Sequence, residues 1–262
     1  MLSLLVYLLA GIVAGTMAGL FGIGGGAVIV PVLVAAFAWQ QLPAALVMHL
    51  ALGTSLATIV VTSLSSIAAH QRRGGVRWDI VLPMTPGILA GAATGALLAD
   101  RLPSRALALL FGLFSLAVAV QMGLGLRPPA AGRLPGRLGR GLAGLLIGTA
   151  SALTGIGGGS ITVPFLTWCR VPMREAVGSA AACGLPIALA GAAGYLLAGQ
   201  DAPDLPAGAT GYVYWPAFLG ITLATVVFAP LGARLAHRWP ERRMKRLFAL
   251  FLVIVGLRMI TA

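Results

Sequence analysis

Apolar residues run along this chain in long blocks, separated by short joints that are polar or rich in glycine and proline. Blocks at roughly 2–20, 44–70, 78–99, 104–125, 140–153, 176–199, 212–235 and 246–262 are near the length that crosses a hydrocarbon layer as a helix, about 20 residues. Two shorter blocks, about 26–38 and 159–169, each follow a glycine-rich break. The pattern predicts helical segments throughout, about five in each half of the chain.

The order of the blocks repeats. Gly19-Leu20-Phe21-Gly22-Ile23-Gly24-Gly25-Gly26-Ala27-Val28-Ile29-Val30-Pro31 returns as Ala152-Leu153-Thr154-Gly155-Ile156-Gly157-Gly158-Gly159-Ser160-Ile161-Thr162-Val163-Pro164, so that Gly22 faces Gly155 and Pro31 faces Pro164 at a constant offset of 133. Allowing for loops of different length, Ala51-Leu52-Gly53-Thr54 matches Ala176-Val177-Gly178-Ser179, Trp78 matches Trp215, and 95–103 matches 232–240. Residues 1–126 and 138–262 therefore form two repeats joined by the Pro/Gly/Arg linker 127–137. Interrupted hydrophobic segments at corresponding places in two halves point to a transporter's binding site.

Composition agrees with a membrane-embedded chain. Of 262 residues 59% are hydrophobic and 9% charged, against about 25% charged in soluble domains, and the mean hydropathy is +0.97. A net charge of +12 does not indicate nucleic acid, since no basic helix face or aromatic platform accompanies it. The basic residues gather in loops instead: Arg72, Arg73 and Arg77; Arg127, Arg133, Arg137 and Arg140; Arg234, Arg238, Arg242, Arg243, Lys245 and Arg246. By the positive-inside rule these loops and the linker are expected in the cytoplasm of a bacterial inner-membrane protein. The counterpart of 71–77, at 200–211, has no Lys or Arg and carries Asp201 and Asp204, which places it outside. The bias swaps sides between the halves, which requires an odd number of crossings per half, an inverted-topology repeat with both termini outside. Residues 2–20 lack a basic leader and a small-residue cleavage site and read as retained. Trp78, Trp215, Tyr212 and Tyr214, at span starts, read as interfacial anchors.

Three consecutive glycines inside a membrane segment cost roughly 1 kcal/mol each relative to Ala in a helix. Close helix packing explains Gly91/Gly95 and Gly191/Gly194. A nucleotide loop is a poor explanation for the repeated motif, which lacks the soluble strand, downstream acid and lysine of such sites. A broken or re-entrant helix is the third reading: free N–H groups and a short helix's N-terminus facing an anion, with Pro31 and Pro164 kinking or ending the helix beyond. The expected contacts to a small anion are Gly22, Gly24, Gly25, Gly26, Gly155, Gly157, Gly158 and Gly159, with hydroxyls from Thr54, Ser55, Thr154, Ser160, Thr162 and Ser179. The competing role for each hydroxyl is a bond to its own helix. His49 is a candidate substrate-sensing or proton-carrying group, because histidine titrates near neutral pH, with a structural hydrogen bond as the alternative. Cys169 and Cys183 have no metal-ligand spacing and read as packing residues. No cofactor, metal or catalytic residue is expected, since no nucleophile with a base or His/Asp/Glu cluster exists to support an enzyme.

The duplicated G-x-G-G-G-x-x-x-x-P motif, Ala51-Leu52-Gly53-Thr54-Ser55 and the Gly-Ala-x-x-Gly-Ala pattern at 91–96 resemble the TauE/SafE group, also called the sulfite exporter or toluene-sulfonate uptake permease family. The resemblance spans nearly the whole chain. It implies a multi-pass permease for small sulfur-containing anions such as sulfite, organosulfonates or sulfoacetate. An anion channel of the same fold, or a carrier for another small oxoanion or carboxylate, stays open, as does assembly as a homodimer in the bilayer. Gly178-Ser179-Ala180 answers Gly53-Thr54-Ser55, so the two half-sites differ by one hydroxyl.

Overall fold

The structure, a computed structural model, describes residues 2–21, 25–125, 132–236 and 241–261. Among these residues the chain forms helices α1 (Leu2–Phe21), α2 (Gly26–Trp39), α3 (Ala44–Gln71), α4 (Trp78–Asp100), α5 (Ser104–Gly123), α6 (Arg137–Thr154), α7 (Gly159–Trp168), α8 (Met173–Ala198), α9 (Trp215–Ala236) and α10 (Glu241–Thr261), with a small antiparallel hairpin of β1 (Ala209–Thr210) and β2 (Val213–Tyr214). The ten helices follow the two predicted sets of five. Helices α3, α4, α5 and α8 are long and apolar enough to cross a membrane. Leu82, Leu113, Leu146, Leu223 and Ile254 lie exposed on the outside, where acyl chains would cover them.

Helices α3 and α8 form the centre and run antiparallel. Gly53 packs on Tyr195, Leu56 on Gly191 and Ser63 on Gly184. Around them, elements of the two halves are exchanged. Helix α4 lies along α6, with Gly91 against the Leu145 backbone and Gly95 against Thr149; α1 lies along α9 in the same parallel sense, with Tyr7 against Gly220 and Gly11 against Ala224. A Cβ on Gly95 would sit 2.7 Å from the Thr149 carbonyl oxygen and one on Gly194 would sit 2.6 Å from the Ala96 methyl. Small residues at these positions let backbones approach, as the sequence led us to expect. Helices α5 and α10 pair antiparallel, Gly112 facing Gly256 and Gly123 facing Ala249.

The glycine motifs turn two helical hairpins. Tyr7 near the start of α1 donates to Gln40 just past α2 at 2.8 Å, so the α1–α2 hairpin leaves at the end where it began. The α6–α7 hairpin does the same at the opposite end, where Arg140 donates to the Asp79 carbonyl at the start of α4 (2.7 Å) and Trp168 leads into α8. Helix α7, with ten residues, is about 15 Å long, half a hydrocarbon thickness of about 30 Å.

These directions gather the 72–77 loop and the starts of α6, α8 and α10 at one end of the bundle, the basic end. The β-hairpin, the α4–α5 turn and the start of α3 occupy the other. Two expectations need correction. Of the kink or end expected at Pro31 and Pro164, the end does not occur, since the short helices run on to Trp39 and Trp168; a proline one turn inside removes only one backbone bond. Tyr212 is no interfacial anchor. Gly208 and Gly211, with φ of 90° and 52°, turn the chain inward, Tyr212 is buried, and its N–H donates to the Tyr195 carbonyl at 3.1 Å. Trp78 and Trp215 are partly exposed, as anchors would be.

Candidate functional site: the glycine crossing

Helix α6 stops at Gly155, whose φ of 64° is left-handed and cheap only for glycine. The Gly155 and Ile156 N–H groups return to the Ala152 and Ser151 carbonyls at 3.3 and 3.0 Å. Gly158, φ 74°, opens α7 from the other side, its carbonyl accepting from Ile161 and Thr162 at 3.0 and 2.8 Å. The first motif matches: Gly25, φ 63°, accepts from Val28 and Ile29, both at 2.9 Å. Gly22 and Gly24 lie outside the described residues.

The two motifs touch each other. A Cβ on Gly26 would sit 2.6 Å from the Gly155 carbonyl oxygen and 2.8 Å from the Ile156 Cα, so only hydrogen fits between the turns. Ser55 on α3 donates to that same Gly155 oxygen at 2.8 Å. A Cβ on Gly184 of α8 would sit 2.9 Å from the Gly157 carbonyl. The crossing thus lies between α3 and α8, near the middle of each.

Several backbone donors there have no acceptor among the described residues: the N–H groups of Gly26 and Ala27 in one motif, and of Gly157, Gly159 and Ser160 in the other. Such orphans are inherent to helix starts, and the dipole of each short helix adds positive potential at the same place. The hydroxyls of Ser151, Ser160 and Thr162 also lack partners.

The other expected hydroxyls are occupied. Thr154 donates to the Ala150 carbonyl of its own helix at 2.9 Å. Thr54 accepts the Tyr214 N–H at 2.9 Å, toward the hairpin end, and Ser179 accepts the Arg77 N–H at 3.0 Å, at the basic end. The His49 ring lies 3.1 Å from the Ala99 and Leu102 carbonyl oxygens and against the tilted ring of Tyr212, tying the start of α3 to the α4–α5 turn. The structure therefore brings Ser55, Gly25, Gly26, Gly155 and Gly157–Ser160 together, and sets Thr54, His49 and Ser179 apart from them. Ser151, fully buried, escapes the sequence reading because it sits one residue before the repeated segment and faces Ala18 in the alignment.

Both ends of the α3–α8 pair are fastened. At the basic end Arg77 bonds Asp79 at 2.8 Å and Glu175 at 2.9 Å, which raises its pKa further above the usual arginine range, and Arg174 donates to the Arg73 carbonyl. A cavity of about 460 Å³ opens beside this clamp, lined by His70, Arg73, Gly75, Met173, Arg174 and Val177. At the other end Tyr212 donates to Asp100 at 2.8 Å; burial, then the bond to the carboxylate, pushes the phenol up to about 12.

Among the described residues no group of three His, Cys, Asp or Glu could hold a metal, and Cys169 and Cys183 are buried free thiols. Comparison with known proteins gives the family. The family described as Sulfite exporter TauE/SafE matches residues 7–259. A probable membrane transporter protein of Haemophilus influenzae is 38% identical over 257 residues, covering 98% of this chain and 97% of that one. One from Methanocaldococcus jannaschii is 26% identical, covering 99% and 96%, and YdhB of Bacillus subtilis, also a probable membrane transporter protein, is 27% identical, covering 98% of each. No solved structure matches. A paired glycine turn at the centre of an apolar helical bundle, matched from end to end, makes this chain a member of the TauE/SafE family of membrane transporters.

Proposed function

We propose that the protein is a secondary transporter of the bacterial inner membrane that moves a small sulfur-containing oxoanion, such as sulfite, an organosulfonate or sulfoacetate, held by backbone N–H groups of the paired glycine motifs. The observation that carries this reading is the crossing itself: two helix starts whose first N–H groups have no acceptor among the described residues, touching at Gly26 and Gly155. Bare backbone is tolerated at membrane depth where it faces protein or a cavity, and helix starts there favour an anion. The exchanged, oppositely directed hairpins support two inverted repeats, each contributing three crossing helices and one re-entrant pair. The basic end, read as cytoplasmic, supplies an entrance of the right sign through the His70–Arg73–Arg174 cavity.

Purified protein should be stabilised by its substrate among sulfite, sulfate, thiosulfate, taurine, sulfoacetate and acetate, by about 2.7 kcal/mol at 100 times the Kd. In liposomes, flux should saturate and show counterflow. Flux that rises linearly without counterflow would mean a channel, and stabilisation by acetate alone would mean a carboxylate carrier.

A further inference from the structure

We infer that the anion proposed above sits on the second glycine motif, with the first as its structural counterweight; this rests on the anion-binding reading above and narrows its paired motifs to one. The two motifs repeat in sequence and differ in chemistry. Each hydroxyl of the second motif, and Ser151 just before it, meets an apolar side chain in the first half at the same offset: Ser151 faces Ala18, Thr154 faces Phe21, Ser160 faces Ala27 and Thr162 faces Ile29. Three of these hydroxyls have no partner. Ser151 and Thr162 are fully buried, in surroundings where a serine or threonine normally bonds the carbonyl a turn earlier. Both lie near one point, which the end of Ile187 borders: a Cβ built on Gly158 would run into Ile187 Cδ1 and lie 3.3 Å from Ser151 Oγ and 3.5 Å from Thr162 Oγ1, so Ile187 must turn aside when the anion binds. An unpartnered buried hydroxyl is destabilising, and neighbouring instances at one turn point to a ligand that completes them.

The donors add up to a particular headgroup. Gly157, Gly159 and Ser160 offer N–H groups, and Ser151, Ser160 and Thr162 offer O–H groups. Three oxygens on one sulfur, the shared headgroup of sulfite and sulfonates, accept about two bonds each; a carboxylate, with two oxygens, leaves donors unused. The first motif offers only N–H groups among its described residues, and Gly26 is closed over by the Gly155–Ile156 backbone. One anion per chain is the consequence.

Titration calorimetry of the full-length protein with sodium sulfite and with sulfoacetate tests this, beside ligand-free thermal unfolding. Wild type should bind one anion per chain. Ser151→Ala with Thr162→Val should weaken binding about a hundredfold, near tenfold for each hydroxyl lost to a charged acceptor, while leaving the ligand-free melting temperature unchanged or raised. A purely structural role would lower that temperature. Should the double variant not fold, Ser160→Ala decides on the same two readouts. Wild-type affinity in the hydroxyl variants, or two anions per chain, would overturn the single-motif site and leave the transport reading standing. A wild type that binds neither anion, nor any of the others above, overturns both.

Discussion

Ser55 shows how little of the crossing can change at the scale of one residue. Its hydroxyl covers the Gly155 carbonyl, which no helix bond satisfies. Ser55→Ala should therefore cost about 1–3 kcal/mol, the penalty for an unpaired buried acceptor, measured by thermal unfolding without ligand. Gly95→Ala pushes a methyl to 2.9 Å from Ala152 as well as toward the Thr149 carbonyl, and overpacking of this kind costs about 1–3 kcal/mol. Anion response should persist in whatever Gly95→Ala protein still folds. His49→Gln keeps a donor toward the α4–α5 turn, so binding should survive and the pH profile of transport should not move; a displaced profile would route protons through this ring. Residues differ sharply in how visible such roles are beforehand. The glycines announce themselves because three together have no good reason to be in a helix. Ser151 does not, because a serine on an apolar helix looks the same whether it bonds its own turn or waits for a ligand.

At the scale of elements, the glycine turns behave unlike helix interior. Substituting Ala for Gly usually favours a helix by up to about 1 kcal/mol, yet Gly25 and Gly158 hold φ of 63° and 74°, where a side chain costs roughly 1–2 kcal/mol, and a methyl on Gly158 would also meet Ile187. Gly158→Ala should thus lower stability as well as anion affinity. The fastenings differ from the turns. The Arg77–Glu175 pair is partly exposed, and Glu175→Gln should cost no more than about 1 kcal/mol by chemical or thermal unfolding. Helix number, order and approximate bounds were readable in advance because apolar length is a coarse signal. The β-hairpin was not: residues 212–214 run without a charged residue into the span that follows, and the turn geometry of Gly208 and Gly211, with the Tyr195 carbonyl waiting below, separates them from it.

At the scale of the molecule, the directions of the helices and the placement of charge make one joint statement. Leu205→Cys, in the loop before the β-hairpin, and Arg246→Cys, near the start of α10, should label with an impermeant thiol reagent from opposite sides of the membrane. Labelling from one side would remove the inverted repeat, whatever the site binds. The expectation of an inverted repeat comes from loop charges that alternate between the halves; the exchange of helices between halves was not legible, since nothing in an apolar face names its partner. That exchange has a consequence for how the chain is made. Helix α1 emerges from the ribosome some 200 residues ahead of the α9 surface it packs on, a wait of roughly 10–40 s at ordinary elongation rates. Helix α4 meets its partner α6 much sooner. The nascent first half must therefore persist in the lipid with one of its longest seams open, so synthesis that stops after α5 leaves a fragment for the membrane's quality control to clear, and the two halves made as separate polypeptides should accumulate only when made together.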